Sequence, residues 1–187
     1  SVFVGYGSNL TVESCYNMAS VEGVGVVAGF TSGISYDKNR CIIFDDCWNG
    51  GTISSENSST MTLGGLFSSK GYGFILYINN CYNIGDIYTL AYWTDETGCG
   101  GLVGGRGAVD VFASNCYNIG KISATEEVHV APLICNPYKM YEEQNFVIGE
   151  EVSSSGFFYH NCYYLDSCVQ TGIKTDLSSD LDIHSMT

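Results

Sequence analysis

Apolar and polar positions alternate in short runs that return at a nearly constant interval along this chain. Phe74-Ile75-Leu76-Tyr77-Ile78 is one such run and Ala108-Val109-Asp110-Val111-Phe112 another. Each leads into a short phrase, Asn80-Cys81-Tyr82-Asn83 in the first case and Asn115-Cys116-Tyr117-Asn118 in the second. The phrase recurs as Ser14-Cys15-Tyr16-Asn17 and Asp46-Cys47-Trp48-Asn49, and in altered form as Asn161-Cys162-Tyr163-Tyr164. Its cysteines follow one another at steps of 32, 34, 35 and 46 residues. A period of about 20–50 residues marks a solenoid, a propeller or another array.

The surrounding residues keep the same beat. Six positions after each repeat cysteine stand Val21, Ile53, Ile87, Ile122 and Cys168. Four positions after it stand Gly51, Gly85 and Gly120, with Ala19 and Asp166 in the outer copies. Upstream lies a second phrase, Gly64-Gly65-Leu66-Phe67 and Gly100-Gly101-Leu102-Val103-Gly104, echoed by Val27-Ala28-Gly29-Phe30 and Val2-Phe3-Val4-Gly5. Gly and Asn at fixed offsets supply bends, since both tolerate positive φ. No segment holds a capped 3.6-residue apolar period, so helix is minor.

Each unit therefore reads as three short strands: the Gly-Gly-Leu phrase, the alternating run, and the stretch from Cys to the apolar sixth residue. Together they predict an all-β, right-handed parallel β-helix of about five coils of roughly 34 residues. The coils fall near 1–22, 23–54, 55–88, 89–123 and 124–168, with an atypical capping tail over 169–187. A propeller is the rival at this period, but its blades usually need four strands. In the solenoid, equivalent residues stack. Cys15, Cys47, Cys81, Cys116 and Cys162 then form a core column, and Asn17, Asn49, Asn83 and Asn118 an amide ladder. Strand neighbours point to opposite faces, so inward cysteines put Tyr16, Trp48, Tyr82, Tyr117 and Tyr163 outside. The reverse arrangement satisfies the alternation equally well.

Composition narrows the partners. Net charge is −13, with seven Lys and Arg, which repels nucleic acid and anionic membrane surfaces. No run of about 18 apolar residues is present to span a bilayer. The chain opens at Ser1-Val2-Phe3-Val4-Gly5, which reads as repeat rather than signal peptide. A fragment of a longer protein is expected. The nine cysteines include no CxxC, so zinc and redox spacing is missing. Cys41–Cys47 and Cys162–Cys168 are local pairs, while stacked free thiols pack well as small hydrophobes.

The two phrases together resemble the GLUG-type repeats of bacterial secreted and surface proteins. Gly100-Gly101-Leu102-Val103-Gly104 with Asn115-Cys116-Tyr117-Asn118-Ile119-Gly120-Lys121-Ile122 carries the resemblance best, followed by the equivalent residues 64–67 and 80–87. Asn161-Cys162-Tyr163-Tyr164-Leu165-Asp166 looks like a closing segment of such an array. Such repeats occur in adhesin-like surface proteins and in non-catalytic regions of immunoglobulin A metallopeptidases. The resemblance implies a secreted, extracellular or cell-surface bacterial module, and it brings no catalytic residues with it.

Candidate chemistry is thin. Solenoids of this class also host glycan lyases and hydrolases, which need converging carboxylates and a basic residue. Here Asp45-Asp46, Glu126-Glu127, Glu142-Glu143 and Glu150-Glu151 are adjacent pairs that point apart on a strand. Asp86 near Lys121 offers one salt bridge rather than a catalytic pair. His129, His160 and His184 lack HExxH spacing, and five cysteines at one repeat position speak for packing rather than a nucleophile. Asp176, Asp180 and Asp182 with Ser178 and Ser179 could hold a weak Ca²⁺, but they lack EF-hand spacing and read first as a solvated tail. No other cofactor or metal is expected. The outward aromatics are the binding candidates, because Tyr and Trp give large contact areas at low entropic cost, although the reading preferred for the column is that its rings stack on one another and shield the sheet. Tyr138 and Tyr141 join them on the insertion over 136–158, since insertions often lie on the binding face. The expectation is a non-catalytic adhesive or stalk-like module for a host glycan or glycoprotein, working beside other domains of its chain. The alternatives are a carbohydrate-active β-helix enzyme and an accessory domain of a secreted metallopeptidase.

Overall fold

A computed structural model describes residues 9–33, 41–57, 62–70, 75–91, 98–105, 110–135, 157–171, 173–174 and 183–187. The chain winds as a parallel β-solenoid. Each described strand pairs with its counterpart one coil away, always in parallel. The coil from 75 to 105 shows the plan, with strands Ile75–Asn79, Tyr82–Asn83, Ile87–Thr89, Gly98–Gly100 and Val103–Gly105. Stacking these strands builds five sheets of four to six strands.

The three strands expected per unit are thus five, and the reason lies in the hydrogen bonds. At two corners, successive N–H groups converge on one carbonyl of a neighbouring coil. Leu66 and Phe67 both donate to the Leu102 carbonyl, at 2.9 and 3.1 Å. Ile84 and Gly85 both donate to that of Asn49, at 2.8 and 3.2 Å. Two donors on one acceptor turn the chain, so the Gly-Gly-Leu phrase and the Cys-to-Ile stretch each break into two strands. A third corner precedes every repeat cysteine: Ser14, Asp46, Asn80, Asn115 and Asn161 all take φ between 51° and 55°. Asn and Asp reach this left-handed region most readily among residues with a side chain.

Four coils carry all five strands, against about five expected from the repeat arithmetic. The next turn contributes Phe157–His160, Cys162–Leu165, Val169–Thr171 and Ile173–Lys174. The tail continues the winding, for Ile183–Met186 adds a sixth strand to the second sheet. The insertion over 136–156, with Tyr138 and Tyr141, lies outside the described residues, as do 175–182 with Asp176, Asp180 and Asp182.

Two apolar clusters fill the tube. One holds Phe30, Phe44, Leu66, Leu76, Ile78, Leu102 and Leu133 with the repeat cysteines. The other holds Ile53, Ile87 and Ile122 with Leu63, Cys99 and Val130. The Asn amides meet Gly29, Gly65 and Gly101. A Cβ on Gly65 would lie 2.7 Å from the Asn83 amide carbon and 2.2 Å from the Gly101 carbonyl. The two sequence phrases are halves of one contact: the glycine is bare so that the next coil's asparagine fits against it.

Candidate functional site

Four of the five repeat cysteines point inward and are fully buried, while Cys15 of the first described coil is half-buried. All nine cysteines are free thiols, including Cys41, Cys47, Cys162 and Cys168. The Cys47 thiol donates to the Val12 and Asp45 carbonyls at 3.4 and 3.2 Å, and the Cys47 N–H donates to Cys81 Sγ at 3.3 Å. Interaction with the Cys81 side chain holds the Cys47 thiol down to about 7. The same contact, with burial, pushes Cys81 up. Cys116 is pushed up by Cys162 and by burial.

Two positions on, the asparagines form a buried ladder. The Nδ2 of Asn17 donates to Asn49 Oδ1 at 2.7 Å, Asn49 to Asn83 at 2.7 Å, and Asn83 to Asn118 at 2.8 Å. Each Nδ2 also donates to the carbonyl two residues ahead, at Ala19, Gly51, Gly85 and Gly120. That second bond fixes which way each amide faces. At the position of the next rung the sequence has Tyr164, which packs at the edge of the core. A second, exposed ladder runs along the left-handed corner: Asn80 donates to Asp45, Asn115 to Asn80 and Asn161 to Asn115.

Between these ladders the aromatic column faces outward. Tyr16 and Trp48 stack at 5.2 Å and 14°, Trp48 and Tyr82 at 5.6 Å and 7°, Tyr82 and Tyr117 at 4.7 Å and 2°. Tyr163 is in register with Tyr117, donates its hydroxyl to Asn161, and meets the His184 ring at 5.2 Å. Ring faces are therefore spent on one another, and edges and hydroxyls meet the solvent. Partial burial, and secondarily Tyr82, raises the Tyr117 hydroxyl pKa. Beside the column stand Met18, Ile84 and Ile119, at 61%, 42% and 41% exposure. The result is an apolar strip along the second sheet. Acidic residues border it: Glu13, Asp46, Asp86 and Asp166 are exposed.

A further aromatic column went unassigned in the sequence. Tyr77, Phe112 and Phe158 stack on the outer face of the first sheet at 5.0 and 4.6 Å. Its signal was available, since these residues occupy equivalent outward positions of the alternating runs.

The remaining candidates stay dispersed. Asp86 accepts the backbone N–H of Lys121 at 3.0 Å, and Glu126 and Glu127 are exposed at a turn. Among the described residues no group of three His, Cys, Asp or Glu side chains is placed to hold a metal ion. Among the described residues no helix is long and apolar enough to cross a membrane.

A scan against protein-family models finds no match, and a search of curated proteins finds none. The resemblance to GLUG-type repeats therefore rests on the quoted phrases. Among solved structures, this chain is similar in fold to a protein from Bacteroides ovatus named as a "putative immunoglobulin A1 protease". The TM-score is 0.61 and the identity 21%, over 95% of this chain and 49% of that one. This chain thus spans about half the length of that protein. At such identity the likeness establishes a shared β-solenoid architecture.

Proposed function

We propose that this chain is a non-catalytic repeat module of a bacterial secreted or surface protein, presenting the outer face of its second sheet to a host glycan or glycoprotein. The observation that carries the reading is the outward row of stacked rings from Tyr16 to Tyr117, flanked by exposed Met18, Ile84 and Ile119. Exposed contiguous apolar surface of this kind usually serves association. Rigid stacked rings offer it without a large entropic cost on binding.

The test is biosensor binding to mucin glycans, plant polysaccharides and secreted immunoglobulins. A saturable signal that falls at least tenfold in Tyr82→Ala/Tyr117→Ala, with the circular dichroism retained, supports the reading. Silence across the panel would make the module a spacer.

A second reading is supported by the structural likeness to the named protease: an accessory domain of a secreted peptidase. In that case, deleting the module from its parent chain would change cleavage of a protein substrate, with no ligand bound by the isolated module.

A further inference from the structure

The solenoid repeats one coil-to-coil contact down its length, and the first coil shows that contact half made. Strands Asn9–Glu13, Tyr16–Asn17 and Val21–Glu22 pair with the second coil and stand at the outer end of their sheets. In later coils the N–H groups of Trp48, Tyr82 and Tyr117 donate to the carbonyls of Cys15, Cys47 and Cys81 one coil back, each at 3.1 Å. Those of Gly50, Ile84 and Ile119 donate likewise to Asn17, Asn49 and Asn83, at 2.8, 2.8 and 3.0 Å. Their first-coil equivalents, Tyr16 and Met18, meet no such carbonyl among the described residues.

The side-chain columns are open at the same edge. Asn49, Asn83 and Asn118 each accept the preceding rung's Nδ2 at Oδ1. At Asn17 that oxygen accepts the N–H of Ala19 instead, at 3.1 Å. The equivalent N–H groups of Gly85 and Gly120 reach the carbonyls of Asn49 and Asn83 in the preceding coil. Asn17 thus fills with its own backbone a seat that elsewhere belongs to a neighbour. Tyr16 stacks on Trp48 by one ring face and is 65% exposed. Cys15 and Val21 are half-buried where Cys47 and Ile53 are fully buried.

We propose that this upstream edge is a docking site for one further coil of the same repeat. The occupant is a polypeptide segment outside residues 1–187 that carries Cys, an aromatic residue and Asn in the order of the phrase. An exposed strand edge is a template for strand addition, and here the columns select the strand. The incoming Asn donates its Nδ2 to Asn17 Oδ1, and the Ala19 N–H turns to the incoming Asn carbonyl, as Gly85 does at Asn49. The incoming ring stacks on the open face of Tyr16, and the incoming cysteine covers Cys15. The N–H groups of Tyr16 and Met18 take the carbonyls of the incoming Cys and Asn. A second copy of this chain does not match these columns. Its downstream edge offers His184 and Ser185 at the aromatic and asparagine positions, and serine has no amide to give the ladder.

The test uses a fluorescein-labelled peptide of residues 75–89, which holds three strands of one coil. It is titrated with the protein under reducing conditions and read by anisotropy, and hydrogen exchange locates the seat. Saturable binding is expected, with exchange slowed at the Tyr16 and Met18 amides. Affinity should fall by about tenfold or more when the peptide carries Asn83→Ala or the protein carries Tyr16→Ala. Absence of saturable binding would overturn the proposal. Protection centred on Ile183–Met186 would also overturn it, by placing the peptide at the opposite end. Equal affinity for the Asn83→Ala peptide would reduce docking to bare backbone pairing and refute the selection by columns. Self-association of the protein alone, with the same protection at Tyr16, would make a second copy the occupant and refute it as well. If Tyr16→Ala does not fold by circular dichroism, the peptide variant and the exchange map decide.

Discussion

Removing one rung from the buried amide ladder tests whether these asparagines hold the coils together. In Asn83→Ala three buried groups lose a partner: the Asn49 amide N–H, the Gly85 carbonyl and the Asn118 amide oxygen. An orphaned buried polar group costs about 1–3 kcal/mol. Allowing for some relaxation, the loss is roughly 3–6 kcal/mol. Whole domains have about 5–15 kcal/mol to lose, so the effect should be large. The assay is urea unfolding followed by far-ultraviolet circular dichroism, in which the midpoint should fall by roughly 1.5–3 M. The control is Asn115→Ala on the exposed ladder, where water replaces the lost bonds to Asn80 and Asn161. Its cost of about 1–2 kcal/mol comes from placing alanine in the left-handed region, where φ is 52°. Asn115→Gly should recover most of that cost. The reasoning is refuted if Asn83→Ala is no more destabilising than Asn115→Ala.

Other outcomes follow from the same packing. Gly65→Ala puts a Cβ 2.2 Å from the Gly101 carbonyl and 2.7 Å from Asn83, so it should cost about 3 kcal/mol or more by calorimetry. Gly33→Ala meets nothing within 4 Å and should be neutral or stabilising by up to about 1 kcal/mol. The Tyr159 hydroxyl is buried without a hydrogen-bond partner, so Tyr159→Phe should raise stability by about 1 kcal/mol in the same unfolding assay. The neighbouring cysteine and then burial raise the pKa of Cys81 and Cys116, and burial raises those of Cys99 and Tyr159, above the ordinary 9.0 for thiols and 10.0 for phenols. Their folded forms keep protons that the unfolded chain gives up. Cys47, held at about 7 when folded, adds stability as pH rises from about 7 to 9, and above 9 the raised groups dominate and stability falls. Urea midpoints between pH 7 and 11 check the sign, and Tyr159→Phe should flatten the slope above pH 10.

How far the sequence reached depended on whether a residue's role repeats. Five copies of one phrase disclosed the coil length and the stacked columns, because a solenoid places equivalent positions one above another. Strand number was harder to read. The corners arise where two N–H groups share one carbonyl, a contact between coils that leaves no residue type of its own beyond glycine. The role of Ser14, Asp46, Asn80, Asn115 and Asn161 was hidden for a different reason. Their common property is a backbone angle, and Ser, Asp and Asn share it without sharing a name. Alternation disclosed two opposite faces, and only the burial of the cysteines decided which one the rings occupy. That the rings stack on one another was also expected from their repetition at one position, and the stacking of Tyr16, Trp48, Tyr82 and Tyr117 agrees with it. Ligand chemistry was least legible, since no repeated polar constellation accompanies the rings.

The two asparagine ladders carry one more consequence. In the buried ladder each amide N–H points toward the following coil, from Asn17 to Asn118. In the exposed ladder the donors point toward the preceding coil, from Asn161 back to Asp45. Aligned amides sum their dipoles, as peptide units do along a helix. Here the two sums oppose each other, one through the core and one along the surface. Lengthening the array by a coil adds a unit to both, so the axial field need not grow with length. An α-helix meets its growing dipole with charged caps at its ends. This solenoid carries its counterweight in the coils that hold both rungs, Asn80 with Asn83 and Asn115 with Asn118.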